Sequence, residues 1–217
     1  MATNDWTQTR MNEMWKKHVV GVVAFLMAWG ACVNASAGEG EATRVVTELQ
    51  ESIVTIMKKG RDLGYTGRYQ SISPTVEKTH DLDTIARLAV GRHWKGLEAS
   101  QRSAFIETFK DLSISMYAGR FKDYGGEQFT ILSETSLKRG NRKLVASHFV
   151  KSGGEKISFN YVLHQVHGQW KIISVSVNGV SDLALKRTEY GGILRKDGFP
   201  TLIERLKSQI DKNANGL

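Results

Sequence analysis

The hydrophobic period changes twice along this chain, and nothing else in the sequence restricts its fold as much. Up to Tyr124 apolar residues recur at three- and four-residue spacing. From Phe129 to Val177 they alternate, and from Leu183 to Ile210 the wider spacing returns. A repeat near 3.6 puts a stripe on a helix, and a repeat of two puts a face on a strand. Helices, then a block of strands, then helices favour an α+β domain over alternating βαβ units.

The individual elements follow from local signals. Val46, Leu49, Ile53 and Met57 predict a helix over 42–59, ended by Gly60. A second helix is expected over 67–80, with Pro74 limiting or kinking it. Asp81 or Asp83 caps a short third helix carrying Ile85, Leu88 and Ala89. The longest runs over about 100–124 on a stripe of Phe105, Phe109, Leu112, Met116, Tyr117, Phe121 and Tyr124. Four strands follow, around Phe129 and Ile131, then over 144–150, 157–163 and 170–177. Gly-bearing turns join them into an antiparallel meander. The third strand sets Phe159 and Tyr161 on one face and Ser158 and Asn160 on the other. Ser181 or Asp182 caps a helix with Leu183, Tyr190 and Leu194 inward, and Pro200 suits the first turn of a last helix.

The N-terminus reads as a secretory signal. Arg10, Lys16 and Lys17 precede an apolar run from Val19 to Val33, and Ala35-Ser36-Ala37 offers an A-x-A site, so cleavage is expected after Ala37. The run is shorter than the roughly 20 residues a membrane-spanning helix needs. The expected organisation is a signal peptide over 1–37 and one domain over 38–217. Cys32 is the sole cysteine and leaves with the signal, so the mature chain has no thiol for a nucleophile or a metal.

Chemistry-bearing motifs are absent. There is no P-loop, no G-x-S-x-G, no H-E-x-x-H and no dinucleotide fingerprint, so no cofactor, metal or catalytic group is expected. The net charge of +8 is spread without a dense run, which speaks against nucleic acid. His164 and His167 would project to opposite faces of a strand end and make poor co-ligands. His148, in mid-strand, is the one candidate for a general base if the sheet is concave and buries it, although a structural role fits it better. The aromatic stripe of the long helix suits a filled core and a hollow one equally.

From Leu88 to Tyr124 the chain reads LAVGRHW, QRSAFIETFKDL and MYAGRFKDY, and it ends in WKIISVSVNGVSDLALKRTEYGGILRKDGFPTLIERL. In order and spacing these segments resemble the MlaC family, also called toluene-tolerance periplasmic proteins. The likeness covers nearly the whole chain after the signal. Leu63-Gly64-Tyr65-Thr66-Gly67-Arg68-Tyr69 and Lys186-Arg187-Thr188-Glu189-Tyr190-Gly191 look closer to its HpnM branch, associated with hopanoid biosynthesis. The family often has T-P-E-Q where this chain has Glu98-Ala99-Ser100-Gln101, and Asp where it has Ser174.

The resemblance implies a monomeric periplasmic carrier, not an enzyme, with a lipid pocket between helices and a curved sheet. It implies phospholipid or hopanoid-type lipid as cargo and transient membrane contact. It also implies an inner-membrane ABC transporter complex and an outer-membrane lipoprotein complex as partners. Period and aromatic content then single out Phe105, Phe109, Tyr117, Phe121, Phe129, Phe159, Tyr161, Val175, Val177, Leu183, Tyr190 and Leu194 as expected pocket walls. Arg187 is expected near the mouth or in a buried ion pair. The rival readings are an enzyme using His148 and a basic adaptor that carries nothing.

Overall fold

The computed structural model describes residues 40–138 and 141–216. The predicted signal peptide, its cleavage site and Cys32 lie outside the described residues. The described chain is six helices and one five-stranded antiparallel sheet.

Helix α1 (Glu41–Lys58) buries Val46, Leu49, Ile53 and Ile56 almost completely, and Glu41 and Lys58 complement its dipole at either end. Helix α2 (Gly60–Thr79) begins earlier than its sequence suggests. It consists of two helical pieces joined at Gly64, whose backbone (φ 59°, ψ −173°) only glycine adopts without strain. Gly60 and Gly64 look like terminators in sequence, which is why the first piece is illegible there. Pro74 does not end the helix, because Ile72 and Val76 on either side are fully buried and tertiary packing offsets the lost backbone bond. The Arg68 side chain, itself buried, fastens α2 to the end of α4 by donating to the carbonyls of Ala118 and Gly60, both at 2.8 Å.

At His80 the chain turns extended and runs along β4, where the Asp81 N–H donates to the Ile172 carbonyl at 3.0 Å. Asp81 then caps α3 (Leu82–Val90) by accepting from the Thr84 N–H, and its other oxygen meets His164 Nε2 at 2.8 Å. A 3₁₀ turn over Gly91–Gly96 leads into α4 (Ala99–Arg120). The Glu98-Ala99-Ser100-Gln101 variant still starts this helix, with Gln101 Oε1 accepting from the Glu98 N–H at 3.0 Å. Helix α4 stops at Arg120, short of the predicted Tyr124, because Phe121 leaves helical space (φ −100°, ψ 68°).

The strands are β1 (Gln128–Leu137), β2 (Arg142–Val150), β3 (Lys156–Val166), β4 (Gln169–Val177) and β5 (Val180–Ser181), paired in sequence order. The fifth strand corrects the expectation of four. Asn178 and Gly179 both take positive φ and fold two further residues back onto β4, in a hairpin too short to leave an alternating pattern. Bulges at Leu132 in β1 and Ile173 in β4 bend the sheet. The second bulge keeps both Ile172 and Val175 inward, opposite Leu163 and Tyr161. Helices α5 (Asp182–Lys196) and α6 (Gly198–Asn215) close the fold, with the Ser181 hydroxyl capping α5.

Buried side chains form two cores. One joins α1, α2 and the inner face of the sheet; the other joins α3, α4, α5 and α6.

Candidate functional site

Between the two cores lies a cavity of about 300 Å³. The sheet supplies one wall through Phe149, Ile157, Phe159, Ile172, Val175 and Val177. The helices supply the other through Ile85, Phe109, Met116, Tyr117 and Leu183. Apolar walls with few polar groups are what small-molecule pockets share, and this volume is at the lower end of their range. The aromatic rings interlock: Phe149 lies 4.8 Å from Phe129 and 6.0 Å from Phe121, while Tyr117 stacks on Phe121 at 6.2 Å.

Charge gathers at one end. Arg120 is exposed, and Asp182 and Lys186 stand one helical turn apart on α5. The buried Lys186 ammonium donates to both Asp182 oxygens, at 2.7 and 2.9 Å, and touches Met116 sulfur at 3.6 Å. All three line the cavity, and Arg120 is the one of them exposed to solvent. Arg120 has no hydrogen-bond or ion-pair partner among the described residues.

A second polar group sits inside. His80, buried where α2 meets β4, contacts the Tyr117 hydroxyl through Nε2 at 3.1 Å. Burial pushes the His80 pKa down to about 4, so its ring is neutral at pH 7, and burial pushes the Tyr117 phenol well above its ordinary value.

The expected wall residues separate into two sets. Phe109, Tyr117, Phe121 and Phe159 line the cavity, as do Val175, Val177 and Leu183. Phe105, Tyr190 and Leu194 do not: they pack in the core between α4, α5 and α6, with Phe105 edge-on to Tyr190 at 6.0 Å. Tyr161 is buried in the α1 core, where its hydroxyl lies 3.4 Å from Gln50 Nε2, and burial raises its pKa to about 12. Phe129 packs behind the cavity against Phe149 and Phe159. Arg187 is exposed on α5 over Gly91, where an added Cβ would come within 2.9 Å of Arg187 Nε; it does not line the cavity, and it forms no ion pair among the described residues. His148 pairs with Ser158 and Thr130 and alternates with the buried Ser147 and Phe149, so it faces away from the helices. That orientation keeps His148, the base candidate of the enzyme reading, out of the cavity.

Sequence reasoning missed His80, Arg120, Asp182 and Lys186. The last two left a trace, an acid and a base four residues apart at a helix start. His80 left none, because only the tertiary fold brings it beside Tyr117. Among the described residues no cluster of His, Cys, Asp and Glu could hold a metal ion, and no helix is long and apolar enough to cross a membrane.

Fold and cavity define a class: an α+β domain whose bent antiparallel sheet covers a chamber that is apolar inside and charged at its rim. The model of the MlaC protein family matches residues 47–208, and the chain belongs to that family. The intermembrane phospholipid transport system binding protein MlaC of Haemophilus influenzae is 27% identical over 135 residues, 61% of this chain and 63% of that protein. The toluene tolerance protein ttg2D of Pseudomonas putida is 22% identical over 149 residues, 68% of this chain and 65% of that protein. The chain thus spans a little under two thirds of the length of these curated relatives. A phospholipid-binding protein from Ralstonia solanacearum, solved in complex with a phospholipid, shares the fold with a TM-score of 0.71. At 18% identity that match covers 81% of this chain and 99% of that one.

Proposed function

We propose that this protein is a periplasmic lipid-binding and transfer protein. In this reading residues 1–37 direct secretion and are removed, and the single domain that remains shuttles lipid between the outer membrane and an inner-membrane ABC transporter. The cargo is a phospholipid or, given the likeness to the HpnM branch, a hopanoid-type lipid. The observation that carries the reading is the apolar chamber between the two cores, with Arg120, Asp182 and Lys186 at its rim to meet a polar head. The names of the relatives point the same way.

The chemistry needs no catalytic group. Each methylene moved out of water gains about 0.8 kcal/mol. A bilayer offers almost the same gain, so exchange between membrane and protein is near neutral while escape into water is opposed.

Native mass spectrometry of the protein purified from cells, followed by lipid extraction, tests this. The expected result is a stoichiometric lipid that passes to acceptor vesicles. A protein that carries no lipid and extracts none from vesicles would overturn it.

A further inference from the structure

Three polar side chains on the helical side of the chamber, His80, Ser113 and Tyr117, have their hydrogens already committed to the protein, whereas Ser174 on β4 meets the Ser181 hydroxyl at 3.5 Å, where either oxygen can donate. His80 Nδ1 lies 3.1 Å from the Val76 carbonyl, which can only accept, so Nδ1 carries the ring proton. Thr79 Oγ1, 3.0 Å from the same nitrogen, gives its own hydrogen to the Thr75 carbonyl at 2.7 Å and accepts as well. His80 Nε2 is therefore bare and takes the hydrogen of the Tyr117 hydroxyl. One turn earlier on α4, Ser113 gives its hydroxyl hydrogen to the Phe109 carbonyl at 2.8 Å. Ser113 and Tyr117 are four residues apart on one face and both line the chamber. Each offers lone pairs and no hydrogen.

We propose that this chamber selects lipids that place a hydrogen-bond donor, a hydroxyl group, beside Tyr117 and Ser113, and discriminates against lipids of the same shape that carry only acceptors there. The inference rests on the carrier reading and adds a cargo chemistry to it. Water can donate to the lone pairs of these oxygens in the free protein; a ligand that expels the water must return a donor or leave those lone pairs without one. The rim differs, because Arg120 offers N–H donors to an anionic head group.

The test is titration calorimetry of the lipid-stripped protein with 1-decanol and with decyl methyl ether, which differ in the donor. The alcohol is expected to bind about 3- to 10-fold more tightly. Tyr117→Phe combined with His80→Leu, which removes the phenol together with the ring nitrogen it would otherwise uncover, should bring the two within about twofold while leaving the ether unchanged, and Ser113→Ala should narrow the gap in part. Imidazole nitrogen shifts should show the Nδ1–H form of His80. Equal affinities in the unaltered protein, or a preference that survives the His80→Leu, Tyr117→Phe and Ser113→Ala changes together, would overturn the proposal and leave the carrier reading standing. If neither probe binds, both fall.

Discussion

Helix α1 and the α4–α5 pair face the same side of one sheet with similar apolar residues, yet one interface is filled and the other is hollow. On the α1 side Val46, Leu49, Ile53 and Ile56 are at most 1% exposed, and even the polar Gln50 is satisfied, donating to Ser147 Oγ at 2.9 Å. On the other side Met116, Tyr117, Val175 and Leu183 are only half-buried around the chamber. The difference lies in how each helix meets the sheet. Helix α1 packs on β1, β2 and β4, whereas α5 touches mainly β4 and the short β5. The same residue types close a core where a helix crosses several strands and leave a chamber where it stands over an edge.

Truncating both sides should expose that contrast. Leu49→Ala should cost about 2–5 kcal/mol, the usual range for a close-packed site. Leu183→Ala should cost about 1 kcal/mol or less, since a void is already there. Urea unfolding checks both, and equal losses would erase the distinction.

The boundary between the regions should respond to pH through His80. Its folded pKa near 4 lies below the 6.5 of an exposed ring, so the unfolded chain takes up the proton first. Stability should be complete above about pH 6.5 and fall by on the order of 3 kcal/mol as pH approaches 4. His80→Gln should flatten the slope. Asp81, whose carboxyl is held below its ordinary 3.8, adds its loss only at still lower pH, which separates the two effects in an acid unfolding series.

A smaller effect belongs to the filled side. Tyr161→Phe removes the hydroxyl beside Gln50 and should cost about 1 kcal/mol in the same assay without changing lipid content.

The alternation of Phe159, Tyr161 and Leu163 and the stripe of Val46, Leu49 and Ile53 made the layers readable in the sequence, because burial of one face dictates such periods. Boundaries were less readable. Phe121 and Tyr124 continue the stripe of α4 after the backbone has left the helix, and the bulge at Ile173 breaks a two-residue period without any marker. The chamber was readable only as a choice of aromatic residues. Phe105 and Phe109 are one turn apart on α4, yet only the second lines the cavity. Periodicity reports which way a side chain faces and says nothing of how far the opposite wall stands.

The most direct measurement is a set of filtered nuclear Overhauser contacts between methyl-labelled protein and unlabelled bound lipid. The account predicts contacts from the lipid chain to the methyls of Met116, Ile157, Val175 and Leu183, and none to Leu49, Ile53 or Ile56. Contacts on the α1 side, or lipid that touches neither set, would contradict it.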